Sequence, residues 1–235
     1  NPTEPWSYES ALPHIRSLIL EHYRFMPYIY TCAFEAAAEG TPIERSLLLE
    51  FPDDNNIKGD EINSLFGPHI LKVLVTEKGK TNADVYLPQG LWWYSKDGTA
   101  FEGGINLELP YPPDGESLWF AKEGSVIPTA PGLTHLQSGV FEKVELLVHP
   151  CGTAGKEIHS TYFEDDGSSE LAGKQYNLWE FTVTDSAVMI TKKVGAIEKK
   201  RIFTIKVPDG YTVSQSSFDP DSLKEGECMV VAISG

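Results

Sequence analysis

At 235 residues, 41% of them hydrophobic, the chain is long enough for one large folded unit or two small ones. Its 34 acidic and 19 basic residues give a formal charge of −15, which argues against a nucleic acid or an anionic membrane surface as partner, because phosphate binding needs clustered Lys and Arg. No run approaches the ~18 apolar residues of a membrane span.

Residues 9–39 predict a long helix. Leu12, Ile15, Leu18, Ile19, His22, Met26, Ile29, Ala33 and Ala36 recur at three- and four-residue steps and so lie along one stripe. Pro13 suits a first turn, where its missing N–H costs nothing. Pro27 would delete a backbone bond and clash with the carbonyl four residues back, so a kink or break is expected near Arg24. About seven large apolar side chains on the stripe would each contribute roughly 1.5–3 kcal/mol when buried, so the helix is expected to be covered. Gly40 ends it. Residues 41–54 then read as a short strand buried on both faces, from the unalternating Leu47-Leu48-Leu49 and the stop at Pro52-Asp53-Asp54. Residues 53–63 are polar and read as a loop.

From Ile70 the pattern changes to short runs at 70–76, 83–87, 90–94, 105–109, 117–121 and 125–127. Lys78-Gly79, Asp97-Gly98, Gly103-Gly104 and Pro112-Pro113-Asp114-Gly115 separate them, and such spacing predicts an antiparallel sandwich. Residues 129–139 are the linker candidate. A second series at 140–149, 157–163, 178–184, 187–193, 202–207, 211–214 and 229–233 predicts a second small sandwich.

Several of these stretches carry a common pattern. Thr41-Pro42-Ile43-Glu44-Arg45-Ser46-Leu47-Leu48-Leu49-Glu50-Phe51-Pro52-Asp53-Asp54 resembles the segment that closes the catalytic barrel of glycoside hydrolase family 31, the α-glucosidase and α-xylosidase family. Glu4-Pro5-Trp6 and the run from Ile15-Arg16 to Tyr28-Ile29-Tyr30 precede it in the family's order. Phe66-Gly67-Pro68-His69, Val85-Tyr86-Leu87-Pro88-Gln89-Gly90-Leu91-Trp92, Gly124-Ser125-Val126-Ile127-Pro128 and Phe163-Glu164-Asp165-Asp166-Gly167 follow it. The tail after about Thr184 carries no such motif. Glu44, Ser46, Lys72 and Leu74 depart from the family pattern.

The resemblance implies a mixed fold: residues 1–67 as the last αβ unit of a (β/α)₈ barrel, 68–131 as a proximal β-sandwich and 132–235 as a distal one. The loop after the barrel strand would open on the catalytic face. In the family the aspartate nucleophile, the aspartate general acid and the sugar-gripping Arg and His lie upstream of the Glu-Pro-Trp segment. The resemblance therefore implies a C-terminal segment of a retaining α-glycosidase acting on α-linked gluco-oligosaccharides, inactive alone, with the upstream portion of the same enzyme as its partner. No catalytic, cofactor-binding or metal-binding residue is assigned to the chain. The family also holds transglycosylases, α-xylosidases and a glucan lyase.

Individual residues carry competing readings. Trp92, Trp93, Tyr94, Phe101 and Trp119 could form a sugar-stacking platform, but alternation along the strand directs Trp93 away from Trp92 and Tyr94, and core packing is preferred. Glu164-Asp165-Asp166-Gly167 offers carboxylates for calcium, yet reads better as a hairpin turn with Gly167 at positive φ. Glu50, Asp53 and Asp54 stand where barrel carboxylates often act, but are read as turn caps and ion-pair partners, with Arg45 as the candidate cation. His14, His22, His69, His135, His149 and His159 are scattered and read as structural. Cys32, Cys151 and Cys228 read as buried or idle thiols, with a Cys151–Cys228 bridge as the alternative an oxidising compartment would favour. Lys199-Lys200-Arg201 reads as a solvated strand edge. From a different functional class, the competing reading is a non-catalytic carbohydrate-binding module, which would need an exposed aromatic strip and no long apolar helix.

Overall fold

A computed structural model describes residues 4–57, 63–111, 117–135, 141–167, 175–197 and 201–235. The turn at 112–115 and the pair Lys199-Lys200 lie outside them.

The helical stretch is broken where Pro27 requires it. Helix α1 spans Leu12–Arg24 and α2 spans Met26–Glu39. Phe25 between them leaves the helical region at φ −83°, ψ 3°, and Pro27 falls in the first turn of α2, where no N–H is needed.

The stretch expected to be a doubly buried strand is not one. Strand β1 is only Glu44–Ser46, and Leu47–Glu50 forms a single helical turn, α3, whose first N–H groups are capped by Ser46: its Oγ accepts from the Leu48 N–H at 3.2 Å. Leu47 is fully buried, whereas Leu48 and Leu49 are 52% and 56% exposed. A strand buried on both faces needs a layer packed against each face, and nothing among the described residues covers Leu48 and Leu49. β1 lies at a sheet edge, so its leucine continuation coils into the turn that leucine favours.

From β1 the sheet continues through β2 (Ser64–Phe66), β3 (Ile70–Val73), β8 (Leu118–Lys122), β5 (Leu91–Tyr94) and β6 (Ala100–Glu102) in the order β1-β2-β3-β8-β5-β6, antiparallel throughout. Strands β4 (Asn82–Leu87) and β7 (Ile105–Pro110) pair with each other. The two layers close on Leu65, Leu71, Val85, Leu87, Trp92 and Phe120.

The second β-rich region also has two layers. One runs β16 (Ser217–Phe218), β14 (Ile202–Lys206), β10 (Lys143–Val148), β9 (Val126–Thr129); the other runs β11 (Ile158–Asp165), β12 (Tyr176–Val183), β13 (Ala187–Gly195), β17 (Cys228–Ser234), β15 (Thr212–Val213). Val144, Leu146, Tyr162, Trp179, Phe181 and Phe203 fill the space between them. The expectation of a wholly antiparallel arrangement fails at one place: β10 and β14 are parallel. Parallel neighbours need a long connection, and here the chain builds β11, β12 and β13 of the opposite layer before returning.

Helix α2 joins these parts. Tyr28 donates its O–H to the Phe66 carbonyl at 2.8 Å and accepts from the His69 N–H at 3.1 Å. Three residues on, Thr31 Oγ1 accepts from the Phe163 N–H at 3.1 Å, and Phe34 stacks on Phe163 with ring centroids 4.0 Å apart. The close approach depends on Gly67, which sits at φ +59° and whose added Cβ would lie 2.3 Å from Tyr28 Oη and 2.5 Å from Cys32 Sγ. Gly67→Ala is therefore expected to lose about 2–3 kcal/mol, combining backbone strain with overpacking. Gly40→Ala is the control: φ is +77° with nothing within 4 Å, so only about 1 kcal/mol should be lost. Equal shifts of the two urea midpoints would show that packing at Gly67 contributes nothing.

Candidate functional site

The carboxylates after β1 are held in place individually. Glu50 accepts from Arg45 Nη1 at 2.6 Å, while Arg45 Nε donates to the Pro42 carbonyl at 2.9 Å, so the buried guanidinium ties both ends of the segment together. Asp54 accepts from the Tyr86 O–H at 2.6 Å and from the Asn56 N–H at 3.0 Å. The Tyr86 bond holds its carboxyl below the ordinary range, and the Asn56 amide adds to the effect. Asp53 is exposed. Glu50 thus pairs with Arg45, and Asp54 caps a turn. A general acid needs a carboxyl kept protonated near neutrality, and Asp54 is shifted the other way.

Two departures from the family pattern compensate each other. Lys72 on β3 reaches across β2 to Glu44 on β1, with Nζ 2.7 Å from Oε2, and Ser64 donates to Glu44 at 2.5 Å. The two side chains form an ion pair on the solvent side of the sheet.

Most of the aromatic set lies in the core. Trp92 is fully buried and donates to the Pro88 carbonyl at 2.7 Å; Trp93 is buried and donates to the Pro150 carbonyl at 3.1 Å. Tyr94 stacks on Phe120 at 4.9 Å, and Phe101 packs edge-on against both. Trp119, partly buried like Phe101, packs edge-on against Phe25 and lines a cleft.

At the acidic turn, Gly167 has φ +71° and donates its N–H to Asp165 Oδ1 at 2.8 Å; Tyr30 donates to the other oxygen at 2.6 Å. Glu164 is buried and ion-paired with Arg201, and it also accepts from the Tyr162 O–H and Asn177 Nδ2, each at 2.9 Å. Among the described residues no group of three or more His, Cys, Asp or Glu is placed to hold a metal ion.

Arg201 is a correction to the reading of 199–201 as a solvated edge. Its side chain is fully buried, contacts Glu164 and Asp221, and lies over Trp179 with its guanidinium carbon 5.0 Å from the ring centre. The signal was present in the sequence: Arg201, Phe203 and Ile205 alternate at a period of two, so the arginine shares the inward face of β14's core residues.

Sequence reading also missed Glu123. Burial would raise its carboxyl, but Lys156 at 2.7 Å and the Leu91 and Gly152 N–H groups at 3.0 and 2.9 Å outweigh that and hold it below the ordinary range. Nearby, His149 Nδ1 lies 3.0 Å from Ser125 Oγ. Burial pushes both His149 and His69 down to about 3, and the Lys122 and Arg45 charges reinforce the effect at His69. A neutral imidazole beside a fully buried serine has no approach for a substrate. Cys32, Cys151 and Cys228 are free thiols, so the alternative bridge is not formed.

With this geometry in place, comparison with known proteins is specific. Residues 40–127 match the family described as glycosyl hydrolase family 31 C-terminal domain. The chain is 30% identical to an α-xylosidase of Saccharolobus solfataricus, over 96% of its own length and 31% of that protein's. It is 27% identical to the lysosomal α-glucosidase of Mus musculus, over 94% of its own length and 26% of that protein's. Among solved structures, a Flavobacterium johnsoniae GH31 dextranase complexed with glucose superposes over 100% of the chain and 34% of its own, at a TM-score of 0.79 and 25% identity. The chain thus spans about a third or less of the length of these relatives.

Proposed function

Since the chain belongs to glycoside hydrolase family 31, we propose that it is the C-terminal segment of a retaining α-glycosidase that hydrolyses α-linked gluco-oligosaccharides. Residues 1–67 would end a (β/α)₈ barrel, with β1 and β2 passing into the edge of the sheet of a proximal sandwich, 68–131, and β9 already pairing with β10 of a distal one, 132–235. The carboxylate nucleophile and general acid, which retention requires about 5–5.5 Å apart, would belong to another part of the same enzyme. The residues of this chain would hold the end of the barrel: Arg45 and Glu50 fix the segment entering the catalytic-face loop, and Asp54 caps its turn.

The observation that carries this reading is the bare apolar side of α1. No residue of α1 is buried. On α1 Ile19 is 46% exposed, Leu18 43% and Leu12 40%; Trp6, in the turn that precedes it, is 68% exposed, and Leu48 and Leu49 of α3 are exposed as well. Apolar side chains in contiguous rows mark a surface meant to be covered. A carbohydrate-binding module has no use for such a helix, and most of its would-be aromatic platform is core.

The test is to incubate the chain with p-nitrophenyl α-glucoside, alone and after adding the preceding part of the enzyme as a separate polypeptide. Alone it should give no turnover. The mixture should form a particle heavier than the chain by light scattering and release p-nitrophenol. Turnover by the repurified chain alone, or failure of the two parts to associate, would sink the proposal. Preference for an α-xyloside, or a transfer or lyase product, would reassign the activity within the family.

A further inference from the structure

We propose that a groove running past Trp119 binds a neutral oligosaccharide. The groove has two parts: a cleft of 640 Å³ between α1, Ser117–Trp119 and residues 132–134, and a smaller one of 290 Å³ between residues 95–98 and 206–209. The parts share Arg24, Ser95, Lys96 and Trp119, so they adjoin. The larger falls within the size of ordinary ligand pockets, about 300–1,000 Å³.

Its chemistry suits a sugar better than an anion or an apolar ligand. Three basic side chains (Arg24, Lys96 and Lys206) and three acidic ones (Glu21, Asp97 and Asp209) line it, and Glu145 lies 3.6 Å from Arg24, so the groove holds no excess of positive charge in a chain of formal charge −15. A groove with no excess of positive charge gives no field to attract an anion. It does offer donors and acceptors at close spacing, which hydroxyl groups can use in both roles. Trp119 supplies the apolar surface on which the C–H face of a pyranose packs; it is partly exposed, as is Phe101, and it is the one of the two that lines the groove. Its neighbours are prearranged: Ser95 Oγ accepts from the Trp119 N–H at 3.1 Å, and Ser117 donates to Glu21 at 2.5 Å.

The groove remains open when the apolar side of α1 is covered. Ser17, Leu20, Glu21 and Arg24 line it at helical positions i, i+3, i+4 and i+7, one stripe of the helix. Leu12, Ile15 and Ile19 form the i, i+3, i+7 row that falls on the opposite side at ~100° per residue.

The inference shares with the proposed function only the choice of an α-linked probe, and its test needs no turnover. The full chain is titrated with isomaltotetraose and maltotetraose, and separately with a sulfated oligosaccharide of the same length, following backbone amide resonances and tryptophan fluorescence. At least one neutral tetrasaccharide should bind saturably at about millimolar concentration, and the sulfated one more weakly. Trp119→Ala should weaken binding about tenfold and Lys96→Ala about threefold, while Trp119→Phe retains most of it. Lys96 is exposed, so that variant serves if Trp119→Ala does not fold. No saturable binding of either neutral tetrasaccharide, tighter binding of the sulfated one, or wild-type affinity in every folded variant would overturn the proposal.

Discussion

Arg201→Met is expected to lower the stability of the chain by about 3–5 kcal/mol, the cost of stranding a buried charge. The guanidinium is fully enclosed, pairs with Glu164 and with Asp221 at 3.1 Å, and lies over Trp179 and Phe203. Met fills similar volume, so little of the loss would come from a cavity. What remains is the buried Glu164 carboxylate with the Tyr162 hydroxyl and the Asn177 amide as its partners, while Lys192 stays paired with Asp221. Adding Glu164→Gln should therefore recover much of the loss, because the amide needs no counter-charge and can keep its bond to the Tyr162 hydroxyl. Urea unfolding measures both variants. A midpoint shift under ~1 kcal/mol for Arg201→Met at unchanged slope would show that the buried pair carries no stability.

Acid is expected to unfold the chain well above the range of ordinary carboxylates. His69 and His149 titrate near 6.5 in the unfolded chain and are held down to about 3 by burial in the folded one. Between these values the unfolded state binds more protons, so stability rises with pH across the window. The contribution is complete above about pH 6.5 and is lost as pH falls toward 3, by up to about 1.4 kcal/mol per pH unit for each histidine. The groups facing His69 are Lys122, Arg45 and His149, none of which would welcome a new positive charge. Glu35 acts in the opposite sense: its carboxyl is raised by burial, which favours the folded state at acid pH and offsets part of the loss. His149→Asn, which can still meet Ser125 Oγ, should flatten the dependence of the urea midpoint on pH between 6 and 4. An unchanged slope would mean that His149 is already charged in the folded protein.

Much of the architecture was legible in hydrophobic period and turn residues. The break beside Pro27, the strand runs from Ile70 onward and the Gly167 turn all follow from local rules, and the structure keeps them as elements, although the run at 125–127, expected in the first sandwich, pairs with β10 of the second as β9. The short strands β2, β6 and β16 were not seen, because three residues or fewer carry no measurable period. Leu47-Leu48-Leu49 was misread because an unbroken apolar run does not distinguish a buried strand from a helical turn. The capping Ser46 and an edge position with one neighbour decide it. At the candidate site, the Arg45–Glu50 pair was within reach of sequence, since the two are five positions apart. Glu123 was not: its partners Leu91, Gly152 and Lys156 come from segments that only the fold brings together.

The placement of α2 bears on orientation. Its Tyr28 end is bonded to the backbone around Gly67, and its Phe34 side is stacked on β11, three to six residues of rigid helix apart. Turning one β-rich region against the other would slide two parallel rings off each other or pull a phenol from two backbone partners at once. Neither can yield by degrees. The helix therefore acts as a splint, and a displacement at its Tyr28 end must be passed to β11 as a rigid-body movement.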